Sequence, residues 1–278
     1  MAIGAASIDN AVESLLPSGV PIQIPSVQDQ INTFKNEHPR YSLSTTRNDD
    51  IAALFVSTVD YLANIIRLMH NTTAPIKYAT IVSDGILTLL DQLKEIGFKN
   101  IYVGNMAAFQ YTPLVKTLKI QAVTKTSVDL ANQMIRDKTA AWAKANSIGL
   151  FDIADLGKFV EVTQGSSAIA SALGLTNIED ACVGGELRRL FQDGNLVQHL
   201  IDLVINLDEV LMCRSPTEYY FFDSVHPSER MHRLFGYFTY EAITAQRSGS
   251  TFSLNEANII SVIQKYSLNS AAPKPASL

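Results

Sequence analysis

KYATIVSDGILTLLDQLKEIGFKNIYV, residues 77–103, decides the fold class. Apolar Ile81, Ile86, Leu89, Leu90 and Leu93 mark a helix over Lys77–Ile96, Gly97 stands at a C-cap position, and the apolar run Asn100–Val103 reads as a buried strand. This is one helix–strand unit. Toward the C terminus, Ser127–Asn146 is a further amphipathic helix and Ile148–Ile153 the strand after it. Toward the N terminus, Ile24, Val27, Ile31 and Phe34 mark a helix over 24–36 with Ser26 at its N-cap. Tyr41–Thr46 is strand-like, the polar turn Arg47-Asn48-Asp49-Asp50 follows, and a long helix is expected from Ile51 to His70. The alternation predicts an α/β fold with a mostly parallel sheet, whose carboxyl strand ends collect functional residues. Between about 154 and 215 the alternation lapses. The pieces Ser166–Leu173, Gly185–Phe191 and Leu196–Val210 read as a helical insertion at one edge of the site.

The chain has 278 residues, 47% hydrophobic and 18% charged, enough to bury a core and unlike a disordered, collagen-like or disulfide-dense protein. Lys and Arg number 22 against 27 Asp and Glu, a formal charge of -5, so nucleic acid is not an expected partner. Asp60 interrupts Ile51–Met69, and Asp202 and Asp208 interrupt Leu196–Met212, so no transmembrane segment is expected. Residues 1–16 lack the basic segment and apolar run of a signal peptide, and taken literally the chain is not exported. The expected organisation is a single domain over 1–245 and a C-terminal extension over 246–278, with a disordered tail from about 267. Cys182 and Cys213 admit two readings. They are buried thiols in a cytosolic protein, or in an exported one a disulfide contributing roughly 3 kcal/mol. Asn71-Thr72-Thr73 is a glycosylation acceptor triplet, a pattern that also arises by chance.

The segment Tyr219–Tyr240, YYFFDSVHPSERMHRLFGYFTY, carries the chemistry. Aromatic residues lead to Asp223, His226 follows three residues later, and Pro227 and Ser228 open a helix with Met231, Leu234, Phe235 and Phe238 on its apolar side. At that spacing the carboxylate can accept from one ring nitrogen and leave the other to a substrate, the arrangement of a general base in acyl transfer. The bland alternative is a capping Asp beside a surface His.

FFDSVHPSERMHRLFGYF resembles the last signature block of the GDSL esterases of the SGNH hydrolase superfamily, including the aromatic lead-in, the Pro after the His and the second histidine, His232. Four further stretches agree in order: Ala2–Ser7, Ile24–Gln30, Thr46–Asp49 and Asn100–Asn105. The similarity is nearest to fungal secreted members, some of them acetylesterases of plant polysaccharides. It implies a flavodoxin-like three-layer αβα fold with one parallel sheet, here missing its N-terminal strand. It also implies Asp223 and His226 as triad members, and an oxyanion hole from the Asn48 side chain and the backbone at Gly4 or Ala5, where removing one donor costs about 3–4 kcal/mol. Thr46 replaces the glycine that the family has before x-N-D. Cys182 and Cys213 stand where many eukaryotic members have cysteines, which implies a disulfide and an extracellular protein.

The family's serine belongs to a block that would lie before residue 1. Ser7 fits that block poorly, and Ser83, in Ser83-Asp84-Gly85-Ile86, has its residue types in the wrong order within a helix. No nucleophile is assigned in the chain, which reads as truncated and nearly inert, since losing the serine of a triad lowers kcat by on the order of 10⁶. The expected function is hydrolysis of acyl or acetyl esters of carbohydrate or lipid by a monomer with no cofactor. The alternative is a non-catalytic relative that binds acylated sugar or lipid. A metal site from Asp223, His226 and His232 is disfavoured because the two histidines, six residues apart, do not share a helix face. Trp142 reads as a helix residue packing on the sheet, and Gly184-Gly185 as a turn.

Overall fold

The computed structural model describes residues 25–41, 49–55, 61, 74–148, 150–183 and 212–270. The chain divides into two compact units, one of residues 1–107 and 122–157, the other of 108–121 and 158–278.

The first unit contains α1 (Val27–Glu37), β1 (Ile51–Phe55), α2 (Ala74–Ile96), β2 (Asn100–Gly104), the long helix α4 (Gln121–Ala145) and β3 (Leu150–Ala154). Ser26 caps α1 through a reciprocal capping box with Asp29. Helix α2 turns Val82, Ile86, Leu89 and Leu93 inward and leaves Ile81 exposed. Gly97, at φ 109°, lets the Phe98 N–H return to the Leu93 carbonyl at 3.1 Å and ends the helix. Strands β1, β2 and β3 pair in parallel, with Phe55 opposite Gly104 and Gly104 opposite Ala154. Residues 51–55, expected to open a helix, form a strand. A five-residue apolar run carries no periodicity that separates helix from strand, and pairing with β2 decides it. At the carboxyl ends, the buried Asn105 amide donates to Asp155 Oδ1 at 2.9 Å and accepts from the Gly157 N–H at 3.1 Å, tying β2 to β3. Trp142 is buried on α4 and donates to Asp91 at 2.7 Å.

The second unit contains the short helix α3 (Pro113–Leu118), then α5 (Leu156–Gly165), α6 (Ser167–Leu173), β4 (Asn177–Ala181), β5 (Tyr219–Phe221), α7 (Glu229–Arg247) and α8 (Glu256–Lys265). Its core joins Phe159, Leu173, Tyr220, Phe221, Leu234 and Ile263. Residues 246–270 belong to this core: Ile259 and Leu268 are fully buried, so the chain stays packed past the expected start of the tail at 267. The expected insertion contains the strand β4 as well as helices.

The one continuous flavodoxin-like sheet is corrected by the strand pairing. Among the described residues, β1-β2-β3 form a three-stranded sheet and β4-β5 a separate two-stranded one. Strand β5 is closed on both sides. One edge pairs with β4 in parallel, and the other is taken by the chain's own return, since Phe222 N–H donates to the His226 carbonyl and Ser228 N–H to the Tyr220 carbonyl. With both edges used, β5 has no row of donors and acceptors left for another strand. Among the described residues, no helix is long and apolar enough to cross a membrane.

Candidate acid–base site

The return after β5 is a turn built by Asp223. Its Oδ1 accepts the N–H groups of Val225 at 2.8 Å and His226 at 2.7 Å, an Asx-type turn that the residue type favours. Pro227 lies opposite Phe221 in an antiparallel bridge whose two hydrogen bonds come from the neighbouring residues, so its missing N–H costs no pairing. Leu114, in the first turn of α3, donates its N–H to the Ser224 carbonyl at 2.9 Å and fastens the middle of the turn. Ser228 then starts α7, which buries Met231, Leu234 and Phe238.

Asp223 divides its work between its oxygens. Oδ1 holds the turn, and Oδ2 lies 2.8 Å from His226 Nδ1. An ionised carboxylate only accepts, so Nδ1 carries the proton and the neutral ring presents Nε2 as a base. No hydrogen bond reaches Nε2 among the described residues, and the His226 side chain is 55% exposed against 24% for Asp223. Burial pushes the Asp223 carboxyl up. The His226 ring and its charge, with the N–H groups of His226 and Val225, outweigh this and hold it below the ordinary 3.8. The hydrogen bond to Asp223 raises the His226 imidazole above its ordinary 6.5. Burial opposes that rise and the carboxylate charge adds to it.

The remaining sequence candidates separate clearly. The His232 ring is taken by the Ser228 carbonyl at 3.0 Å within its own helix. Cys182 and Cys213 form a disulfide with Cα atoms 4.9 Å apart. Asn48, Gly4, Ala5 and Asn71 lie outside the described residues. Ser83 is buried inside α2, its hydroxyl on the Thr80 carbonyl at 3.1 Å. Sequence reasoning missed Leu114 and Val183, whose N–H groups hold the turn and the end of β5. Backbone donors leave no mark in residue type. The hydroxyls of Ser224 and Ser228 are buried without a partner among the described residues, and residue type alone gave no sign of them. No protein-family model matches the sequence, and no curated protein matches it.

Proposed function

We propose that the protein is a carboxylic ester hydrolase in which Asp223 orients His226 and His226 Nε2 takes the proton of the attacking hydroxyl or water. The observation that carries this reading is the 2.8 Å contact between Asp223 Oδ2 and His226 Nδ1 on a half-exposed imidazole whose Nε2 has no hydrogen bond among the described residues. A base needs one nitrogen fixed and the other available, and the raised imidazole value makes it a stronger base for the attacking proton. The resemblance of residues 221–238 to the last block of the GDSL esterases points to the same reaction. Acyl or acetyl esters of carbohydrate or lipid are the proposed substrates. The Cys182–Cys213 bond suits the oxidising setting of an extracellular protein, the proposed location.

No serine of the sequence is assigned as nucleophile, so the activity proposed for it is slow general-base hydrolysis in which Nε2 takes the proton of water. The test is release of p-nitrophenol from p-nitrophenyl acetate by native protein and by His226→Ala. Turnover above buffer that His226→Ala abolishes is expected. Equal rates refute the proposal, and acylated-sugar binding without turnover would favour the non-catalytic reading.

A further inference from the structure

The disulfide lies on the same backbone network as the acid–base turn. Cys182 and Val183 follow β4 directly. Their consecutive N–H groups donate to the consecutive carbonyls of Phe221 and Phe222, at 3.0 and 2.7 Å. Successive N–H groups of an extended strand point to opposite sides, so two in a row reaching one neighbour require a departure from regular pairing at 182–183, directly after the register shift that β4 makes against β5 between Asn177 and Ala181. Residues 212 and 213 close on this irregular stretch from the other side. Cys213 N–H donates to the Cys182 carbonyl at 2.8 Å, Met212 bridges Val183 in antiparallel fashion, and the Cys182–Cys213 bond locks the pair. Phe222, whose carbonyl Val183 holds, donates its own N–H to His226 and is followed by Asp223.

We infer that the Cys182–Cys213 disulfide is a positioning device for the Asp223–His226 pair, holding the irregular backbone at 182–183 that pins Phe221 and Phe222 immediately before Asp223. The inference rests on the acid–base reading of that pair. Its mechanism is geometric: an unpinned Phe222 lets the turn sample conformations in which Oδ2 and Nδ1 are not in contact, and the imidazole then titrates closer to a free one.

The test is the NMR titration of the His226 imidazole in native protein, in Cys182→Ser with Cys213→Ser, and in Leu268→Ala. Leu268 is a fully buried residue of the same unit, and its variant controls for general loosening. Native His226 is expected to titrate above 6.5. The double serine variant should fall toward 6.5, and Leu268→Ala should keep the native value. If the double variant does not fold, the same titration is made on native protein reduced by a dithiol, which leaves two cysteine thiols and the cyclic disulfide of the reagent, with circular dichroism showing that the fold persists. A raised value retained without the disulfide, or an equal fall in Leu268→Ala, overturns this inference alone. A native value of 6.5 overturns the acid–base reading with it.

Discussion

Phe222 donates its N–H to the carbonyl of His226 at 2.9 Å, and that bond both closes one edge of β5 and sets the turn that carries Asp223. The closed edge of β5 and the geometry of the site therefore share one bond. The chain reverses immediately after three strand residues, so the strand cannot extend into a larger sheet and the Asp-x-x-His turn is fixed to it at both ends.

Because Asp223 acts through two oxygens, its substitutions should separate two effects. Asp223→Asn keeps an acceptor for Val225 and His226 N–H and changes stability little, yet it removes the carboxylate oxygen whose hydrogen bond to Nδ1, with its charge, raises the imidazole. His226 is expected to titrate lower by NMR. Asp223→Ala also loses the turn acceptor, and a further loss of about 1–2 kcal/mol is expected from urea unfolding.

The pH dependence of stability follows from the two shifts. The folded His226 value is raised, so its share of stability is complete below 6.5 and is lost as pH rises through the folded value. The folded Asp223 value is lowered, so its share is present above 3.8 and is lost as pH falls through the folded value. The native-minus-Asp223→Asn difference in Tm should be largest between 3.8 and 6.5 and shrink on either side. Half-exposure of the ring keeps the difference small.

Residues 246–270 should prove integral to the second unit. Removing 246–278 takes away Ile259, Val262, Ile263 and Leu268, all buried, and the remaining chain is expected to lose cooperative thermal unfolding of this unit. The single change Leu268→Ala should cost about 2–5 kcal/mol by urea unfolding.

A Cβ on Gly104 would lie 2.1 Å from Cδ1 of Phe55, the residue paired with it across β1 and β2. Gly104→Ala should therefore destabilise the first unit, by about 1–2 kcal/mol, since the added Cβ meets the Phe55 ring. The cost should largely vanish in a Phe55→Ala background, as measured by a double-mutant cycle in urea.

What was legible in the sequence was local. Ser26 as an N-cap, Gly97, and Asp223 with His226 all act within a few residues, and each stands in the geometry its type favours. Ile51–Phe55 was misread because five apolar residues with two alanines suit either element until a partner strand decides. The strand Asn177–Ala181 was hidden by its polar, partly exposed sequence. The closed edge of β5 was illegible for a further reason: it rests on backbone bonds from Phe222 and Ser228 and not on any side-chain pattern.

The most direct test of the central claim is the pH–rate profile of p-nitrophenyl acetate hydrolysis by native protein, set beside the NMR titration of His226 in the same samples. The account predicts a rate that rises with pH along the imidazole's own titration, with a midpoint above 6.5, and that disappears in His226→Ala. A native rate that follows the buffer alone, or that His226→Ala leaves unchanged, would contradict it.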